Sequence, residues 1–412
     1  MLDINYIRDN LEKVKKGVVA KGYPVDLVDK VLELDKTRRQ LIQEIDELRS
    51  RKNKAAEARD VETGKKIKDD LHEKEPRLKK TEEELEEVLI AIPNPPSPEA
   101  PIGKDENENK VVKTWGQPQE FKFKPRDHIE LGENLGILDF ESGAKVAGSQ
   151  FYFLYNEGAL LEIALIQFAL SLLSKEGFTP VITPDLAKSR HYLGTGYNPK
   201  GKEAQTYTIE GEDLGLIATA EVALAGKHAD EIIPEKDLPI KYIGYSHCFR
   251  KEAGSYGKYS KGLFRVHQFT KAEIFIYCLP EESEKMHQYL LSLEEKIYQE
   301  LKIPYRVVEM CTGDLGAMAA RKFDIEAWMP GRNEYGEVTS TSNCTDYQAR
   351  NLNIRLRRKT GELEFAHMLN GTAIATSRSI IAILENFQTE DGSVKIPEVL
   401  QKYAGFSEIK PK

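Results

Sequence analysis

Hydrophobic residues between positions 27 and 92 recur every seven residues in a stretch otherwise crowded with charged side chains. This heptad spacing predicts two long helices packed side by side. A polar stretch containing Gly64 separates the two series, which predicts an antiparallel coiled-coil hairpin with arms of about 35 to 50 Å at about 1.5 Å per residue. Pro76 lies in the second arm, where it should bend the helix. The repeating residues are Leu27, Leu34, Leu41 and Leu48, then Leu71, Leu78, Leu85 and Ile92.

The pattern changes after residue 92, where five prolines in "IPNPPSPEAPIGKDENENK" predict a semi-rigid linker. We predict a domain boundary there, with domains at 1–102 and 103–412. From about Val111 onward, alternating strand patterns such as "PIKYIGYSHCF", "FRVHQFTKAEIFIYC" and "YGEVTSTSNC" mix with helical ones. No βαβ rhythm repeats, so the fold class predicted for the second domain is α+β, a mainly antiparallel sheet flanked by helices.

The longest apolar run, "ALLEIALIQFALSLL" at 159–173, contains Glu162 and Gln167 and is too short to span a bilayer, so it predicts a buried helix. The N-terminus "MLDINYIRDNLEKVKK" carries acids and no long apolar stretch, which argues against a signal peptide. We therefore expect a cytoplasmic protein with no membrane association.

Charge is distributed unevenly, although the net charge of the whole chain is −8. Residues 49–68 hold eight Lys or Arg against three acids, so the tip of the predicted hairpin is basic. A solvated helix surface explains such a run; so does a finger that contacts phosphates, because cation clusters gain affinity by releasing counterions. The finger would use Arg49, Arg51, Lys52, Lys54, Lys65, Lys66 and Lys68.

The cysteines give no sign of a metal site. Cys248, Cys278, Cys311 and Cys344 are spaced about thirty residues apart, without the paired spacing of zinc sites or small disulfide scaffolds. We interpret them as reduced thiols.

Chemically mixed side chains line two neighbouring predicted strands. Arg250 and Glu252 end the first strand, and after the loop "AGSYGKYSKG" the second carries Arg265, Phe269 and Glu273 on one face, alternating with an apolar face. Arginine holds phosphate oxygens, an aromatic ring stacks on a base, and a carboxylate receives an ammonium or hydroxyl. The track therefore suits a nucleotide beside an amino compound, and it also fits a solvent-exposed sheet surface with scattered ion pairs.

Two later segments add anion and cation chemistry. "GEVTSTSNC" supplies Glu337 and Ser340, oxygen ligands that suit Mg²⁺, although the same alternation fits an ordinary strand. "MLNGTAIATSRSIIAILENFQ" leads from a strand through Asn370 and Gly371 into an apolar helix with Arg378 near its start. Helix N-termini and arginine both favour anions, whereas an exposed helical arginine needs no ligand.

Taken together, these segments resemble the seryl-tRNA synthetases, class II aminoacyl-tRNA synthetases, over essentially the whole chain. "GFTPVITPDLA" resembles motif 1 with Pro184 as its proline, which implies a homodimer interface there. The stretch "FRKEAGSYGKYSKGLFRVHQFTKAEIF" resembles motif 2, and "NGTAIATSRSIIAILENFQ" resembles motif 3. "TAE" at 219–221 resembles the amino-acid loop, and "EVTSTSNCTDYQAR" the metal strand.

The resemblance implies a site for ATP, L-serine and Mg²⁺, without zinc, in an enzyme that charges tRNA-Ser (and tRNA-Sec where present). Arg250 would hold the α-phosphate, Arg265 and Arg378 the outer phosphates, and both Arg250 and Arg378 would be catalytic. Phe269 would stack on adenine. The remaining implied ATP contacts are Lys251, Glu252, Glu337, Val338, Thr339 and Ser340, of which Glu337 and Ser340 would bind the metal. The implied serine contacts are Thr219, Ala220, Glu221, Glu273, Asn370 and Thr372.

Three other functions remain open at this stage. A ligase that passes an activated amino acid to a carrier protein resembles a synthetase core without the hairpin, so the heptads disfavour it. A non-catalytic binding paralogue would be expected to lose Arg250, Arg378 or Glu337, and all three are present. A structural coiled-coil protein leaves the residues after the hairpin without a role.

Overall fold

The computed structural model describes residues 2–197, 205–252 and 262–411. The chain divides into two compact units, Met1–Pro96 and Ser97–Lys412. The first unit contains helices α1 Ile4–Asp9, α2 Leu11–Ala20, α3 Asp26–Glu57 and α4 Val61–Ala91. The helices of the second unit are α5 His128–Asn134, α6 Phe140–Ala147, α7 Asn156–Lys175, α8 Ser189–Gly194, α9 Ala220–Gly226, α10 Ser283–Glu300, α11 Tyr347–Leu352, α12 Thr376–Asn386 and α13 Glu398–Ala404.

The strands all belong to the second unit as far as it is described. They are β1 Lys110–Trp115, β2 Leu138–Asp139, β3 Phe153–Leu154, β4 Thr179–Ile182, β5 Leu186–Ala187, β6 Gly215–Leu216, β7 Ile232–Pro234, β8 Ile240–Phe249, β9 Gln268–Cys278, β10 Tyr305–Glu309, β11 Arg321–Met329, β12 Glu334–Asn343, β13 Arg355–Arg357, β14 Leu363–Phe365, β15 His367–Ala375, β16 Val394–Lys395 and β17 Glu408–Ile409.

Helices α3 and α4 form the hairpin that the heptads predict. With 32 residues, α3 is about 48 Å long at about 1.5 Å per residue. Ile45, Leu48, Ile67 and Leu71 are buried together in the seam between the helices. The turn lies at residues 58–60, because the Asp60 side chain caps the start of α4 by accepting from the Thr63 amide at 3.1 Å. Placing Gly64 between the two arms was therefore wrong: it belongs to the first turns of α4, and α4 continues through Pro76.

A buried carboxylate ties this hairpin to the first helix. Asp35 of α3 is fully buried, although it sits on a helix whose other acids are largely exposed. It pairs with Arg39 at 3.0 Å and Arg38 at 3.5 Å on its own helix, and with Arg8 of α1 at 3.7 Å. Buried charge is tolerated only when it is paired, and this pairing fixes α1 against α3.

The second unit is built on a mainly antiparallel sheet, as predicted. The main sheet of the described residues has the strand order β1-β10-β11-β12-β15-β9-β8-β4, in which only the β4–β8 pair is parallel. Helices α7, α10 and α12 pack against it and bury one large apolar cluster. The fold class is α+β.

Strand β9 differs from the prediction in two ways. It begins at Gln268, because Gly262–Phe264 forms a 3₁₀ turn, so Arg265 precedes the strand. It was also expected to expose one face, yet Thr270–Cys278 is buried on both faces. Because β8 and β15 pair with its two edges and helices cover its faces, β9 is a central strand.

The proline-rich stretch is anchored in its later part. Ser97 donates its amide to the Ala320 carbonyl at 2.8 Å, and Thr312 donates to Pro101 at 2.8 Å. Gly103 lies against Cys311, where a Cβ would come within 2.8 Å of the sulfur. Residues 97–103 are therefore packed onto the second unit, which a semi-rigid linker was not expected to do.

Helix α7 is 20 residues long, longer than the apolar run that predicted it. Within the described residues it alone has the length and composition to cross a membrane, so excluding a span by length was wrong. Leu161, Leu165 and Phe168 nevertheless lie in the main core of the second unit. One face of α7 is therefore buried as the sequence predicts, while Leu160 and Ile163 on another face are exposed.

Candidate active site

A polar cavity of about 330 Å³ opens over strands β9, β12 and β15. Its wall contains most of the side chains that the sequence singled out. They are Glu221, Arg250, Glu252, Arg265, Phe269, Glu273, Glu337, Val338, Thr339, Ser340, Asn370, Thr372 and Arg378. Segments as far apart in sequence as α9 and α12 therefore converge on one site.

Three arginines stand around one end of this cavity, each on a different support. Arg250 stacks on the Phe269 ring, with 5.3 Å between guanidinium and ring centroid, and its Nε donates to the Ala218 carbonyl at 3.3 Å. Arg265 pairs with Glu252 at 3.0 Å. Arg378, in the first turn of α12, lies 5.0 Å above the Phe264 ring. Among the described residues, acids pair with only two of these three arginines. The remaining positive charge makes this end suited to a polyanion.

Glu337 stands between these arginines and a second charged pair. It binds Arg378 at 2.8 Å, and Lys322 binds Asp324 at 3.4 Å on the neighbouring strand. Burial disfavours the charged form of Glu337, but the positive charges of Arg378 and Lys322 outweigh this effect and lower its pKa. Burial, with a further contribution from Glu337, raises the pKa of Asp324 to about 7. The ionised form of Glu337 in the cavity wall is therefore favoured, whereas Asp324, which does not line the cavity, has a pKa near neutrality.

At the other end, Glu221 lies at the centre of a hydrogen-bond network with only 2% of its surface exposed. Tyr197 donates to its Oε2 at 3.0 Å. Gln348 and Asn370 donate to its Oε1 at 2.6 and 3.0 Å. Burial, followed by the nearby charge of Glu273, raises the pKa of Glu221 to about 7. All three donors are neutral, so the negative charge of Glu221 is left for a ligand.

Glu273 is the second buried acid at this end. It pairs with Lys271, two residues earlier on the same face of β9, at 2.5 Å. Thr372 on the neighbouring strand donates its hydroxyl to Glu273 at 3.3 Å. Burial raises the pKa of Glu273, while Lys271 acts in the opposite direction. This arrangement offers a carboxylate and a hydroxyl to a small polar ligand.

Three predicted contacts lie outside the cavity wall. The Thr219 hydroxyl caps helix α9 by accepting from the Glu221 amide at 3.2 Å, so it is used locally. Ala220 packs α9 against β8, with its Cβ beneath Gly244. Lys251 lies 5.7 Å from the Tyr207 ring. The loop predicted between β8 and β9 spans residues 253–262, of which 253–261 lie outside the described residues.

Side chains that the sequence did not assign also line the cavity or, like Gln348, contact a residue that lines it. Lys271 could have been found, because it shares a strand face with Glu273. Gln348 lies in the quoted "TDYQAR" stretch, but no signal in the sequence connects it to Glu221, 127 residues away. No feature of the sequence indicated that Tyr197 or Lys322 belongs to the site.

Two other predicted surfaces contribute no residue to the wall of this cavity. The basic residues near the hairpin turn are exposed: the side chains of Arg49 and Lys66 are 59% and 78% accessible. Pro184 is also exposed, and close to it a groove of about 480 Å³ is lined largely by apolar residues of α7, β4 and β8. Ile182 in this groove is 81% exposed.

The chain matches known proteins along its entire length. The model of the seryl-tRNA synthetase N-terminal domain matches residues 1–96, and the model of the class II tRNA synthetase core domain (G, H, P, S and T) matches residues 206–387. A serine–tRNA ligase of Dictyoglomus thermophilum is 56% identical, with both chains covered completely. The chain belongs to the seryl-tRNA synthetase family.

Solved structures place the fold in the same family. The seryl-tRNA synthetase of Pyrococcus horikoshii, complexed with ATP, superimposes with a TM-score of 0.91 at 46% identity, covering both chains completely. The cytoplasmic serine–tRNA ligase of Naegleria fowleri, in complex with AMP, gives 0.88 at 39% identity over 100% of this chain and 99% of the other. The first unit coincides with the residues that the N-terminal domain model matches, and the residues that the core domain model matches lie within the second unit.

Proposed function

We propose that this seryl-tRNA synthetase activates L-serine with ATP in the cavity over β9, β12 and β15, and transfers the seryl group to tRNA-Ser. The observation that carries the assignment is the polarity of the cavity. Arg250, Arg265 and Arg378 line the cavity together with the buried acids Glu221 and Glu273, which suits a triphosphate lying beside a small ammonium compound.

The arginine end receives ATP in this proposal. Arg250 contacts the α-phosphate, and Arg265 and Arg378 contact the outer phosphates. Phe269 stacks on adenine, which requires Arg250 to leave or share the ring face it now covers. Arg378 and Arg265 are held by Glu337 and Glu252, so both cations are oriented before ATP arrives.

Mg²⁺ fits the donors next to these arginines. Mg²⁺ usually keeps several waters and takes one or two carboxylates together with substrate phosphates. Glu337, whose pKa is lowered, and the Ser340 hydroxyl would hold it on β12. When bound, the ion neutralises charge on the phosphate oxygens.

The acidic end receives serine. Glu221 accepts the ammonium group, and Glu273 with Thr372 binds the side-chain hydroxyl. Asn370 supports Glu221 by donating to it at 3.0 Å. A site built to bind a hydroxyl leaves buried polar groups unpaired when alanine enters, which can give a discrimination of about 10⁴ to 10⁵.

The chemistry requires no protein nucleophile. A serine carboxylate oxygen forms a bond to the α-phosphorus while the bond to pyrophosphate breaks. The terminal ribose hydroxyl of tRNA then attacks the seryl carbonyl and releases AMP. The protein contributes orientation of the two substrates and neutralisation of the charge that leaves with pyrophosphate.

The hairpin provides a surface for tRNA. Cations near its turn are exposed, and one of the few acids there, Glu62, lies 3.9 Å from Lys66, too far for a strong ion pair. Arg49 is paired with Glu75 at 2.8 Å, so the exposed lysines nearer the turn are the cations that stay available for a phosphate backbone. Recognition would follow the shape and backbone of tRNA-Ser.

A second copy of the chain would cover the groove beside Pro184. Leu160, Ile163 and Ile182 are 48%, 53% and 81% exposed on adjoining parts of α7 and β4. Exposed apolar patches of this kind mark interaction surfaces. A homodimer through motif 1 accounts for them and predicts a sedimentation mass about twice 46.7 kDa.

The deciding experiment is amino-acid-dependent ATP–pyrophosphate exchange, with each proteinogenic amino acid tested singly on wild-type protein and on Arg250→Ala. We expect exchange with serine alone, and a loss of about 10² to 10³ in the variant because a charge-stabilising group is removed. Folded protein that supports no exchange with any amino acid would contradict the proposal and favour a binding paralogue.

A further inference from the structure

Gln348 of α11 joins the serine end of the cavity to two other helices. It is fully buried, and its side-chain nitrogen donates to Glu221 Oε1 of α9 at 2.6 Å and to the Thr195 carbonyl, just after α8, at 3.3 Å. The same nitrogen lies 3.5 Å from the Met318 sulfur, which lines the cavity. One amide thus contacts three segments around the acid that would receive the serine ammonium.

The orientation of this amide is determined by its neighbours. The Thr195 carbonyl and the Glu221 carboxylate are both acceptors, so the NH₂ group must lie between them. The Gln348 oxygen, buried on the other side, has no hydrogen-bond partner among the described residues. Leaving a buried acceptor unpaired lowers stability. In this orientation the side-chain NH₂ group donates to both the Thr195 carbonyl and the Glu221 carboxylate, and the oxygen is the atom left unpaired.

A neutral donor has an advantage at this position over a cation. Lysine or arginine would also hold Glu221, but its charge would compete with an arriving ammonium group. The charged or titratable groups facing Glu221 are Glu273 and Lys271 on β9 and Tyr197 after α8. Lys271 is already paired with Glu273 at 2.5 Å. Gln348 therefore orients Glu221 and leaves its charge available.

We propose that Gln348 is a positioning residue for serine, whose amide holds the Glu221 carboxylate in the orientation that receives the substrate ammonium. This rests on the proposed function of the cavity, because Glu221 must be the ammonium acceptor. Gln348 itself does not touch serine. It acts through Glu221, so its loss should weaken serine binding and leave ATP binding intact.

A neighbouring residue provides a matched control. Asn351 lies on the same helix, carries the same functional group and donates to the Gly194 carbonyl at 2.7 Å, one residue before the carbonyl that Gln348 contacts. It makes no described hydrogen bond to Glu221. If serine binding depends only on the connection between α11 and α8, Asn351→Ala and Gln348→Met should change the serine KM by similar factors.

The experiment compares wild type, Gln348→Met, Gln348→Ala and Asn351→Ala in ATP–pyrophosphate exchange, with thermal melting to check folding. We expect Gln348→Met to raise the serine KM by about tenfold or more, as for a lost hydrogen bond to a charged group, with the ATP KM within about twofold. Asn351→Ala should leave the serine KM within about twofold. Gln348→Met is nearly the same shape, so it preserves packing where alanine leaves a gap.

The pH profile separates positioning from a structural defect. Protonated Glu221 cannot pair with an ammonium group, so the wild-type serine KM should rise as pH falls through about 7. The Gln348 hydrogen bond lowers the pKa of Glu221, so removing it should move this rise to higher pH. A packing defect that admits water would move the midpoint to lower pH instead, because burial is the largest cause that raises this pKa.

The results of these measurements either support or overturn the positioning role of Gln348. The proposal is overturned if the serine KM of Gln348→Met stays within twofold of wild type, if the ATP KM rises in step, or if Asn351→Ala behaves the same way. Failure of both Gln348 variants to fold while Asn351→Ala folds would also overturn it, by showing a structural role. Absence of serine-dependent exchange in wild type would instead reject the proposed function.

Discussion

The hairpin tip and the cavity use the same charged residue types under opposite conditions. At the tip, Lys66 is 78% exposed and its ion partner is 3.9 Å away, so water and salt screen its charge. In the cavity, Lys271 and Glu273 are 6% and 2% exposed and lie 2.5 Å apart. Charges at the tip should therefore act additively and depend on salt, whereas those in the cavity should act as a coupled set.

The largest effect is expected in the cavity. Arg378→Ala should lower kcat for serine-dependent exchange by about 10² to 10³, because the arginine is oriented by Glu337 at 2.8 Å before ATP binds. Steady-state exchange kinetics at saturating serine measure it. The loss should change little between low and high salt, because the group is held inside the site.

Arg332→Ala is the control for this variant. Arg332 also lies over the Phe264 ring, at 5.1 Å against 5.0 Å for Arg378, but it does not line the cavity. Its removal should leave kcat within about threefold. Equal losses from both variants would mean that stacking on Phe264, and not contact with phosphate, explains the Arg378 effect.

An intermediate effect is expected at the tip. Replacing Lys52, Lys54, Lys65 and Lys66 together with Gln should raise the KM for tRNA-Ser by about tenfold or more and weaken its salt dependence, because fewer counterions are released. Exchange with serine, which needs no tRNA, should not change. Aminoacylation measured over a series of salt concentrations tests both statements.

Four other exposed lysines on the same two helices give a charge-matched control. Lys30, Lys36, Lys79 and Lys80 lie farther from the turn, and their replacement with Gln removes the same net charge. If both quadruple variants lose tRNA affinity equally, net charge is responsible and the tip has no special role. A fall in exchange activity in the tip variant would show that the two units cannot be treated separately.

The contrast also explains what the sequence could predict. The hairpin follows from the repeat of Leu41, Leu48, Leu71 and similar residues, since a coiled coil is determined by periodicity within each helix. Its turn was misplaced at Gly64 because a capping aspartate, Asp60, competes with glycine as the signal for a helix boundary.

The cavity was predicted only as far as local patterns extend. Arg250, Glu273 and Arg378 lie in recognisable stretches, and the structure brings them together. Gln348 and Glu221 are 127 residues apart, and their contact depends on how α9 and α11 pack. The burial of β9 on both faces depends on strand order, which no alternation along β9 itself can reveal.

The smallest effect concerns a carboxylate beneath the cavity. Glu294 of α10 is fully buried behind Gly371, where an added Cβ would lie 2.6 Å from its Oε1. Burial, with contributions from Glu273 and Asp324, raises its pKa well above the ordinary value. The folded protein therefore keeps this proton at pH values where the unfolded chain releases it.

The sign of the resulting pH dependence follows directly. A raised folded-state pKa gives stability that is complete below the ordinary value of 4.5 and is lost as pH rises towards the raised value. Glu294→Gln should gain stability relative to wild type between pH 5 and pH 8, because an amide does not undergo the loss that the wild-type carboxyl undergoes as pH rises above 4.5. Urea unfolding followed by tryptophan fluorescence reports on this unit, because Trp115 and Trp328 both belong to it.

Glu300→Gln, an exposed change on the same helix, is the control and should leave the free energy of unfolding unchanged at both pH values. A Glu294→Gln variant less stable by the same amount at both pH values would mean that the folded protein needs this side chain as a carboxylate, and that the coupling of buried charges in the core does not extend beneath the cavity.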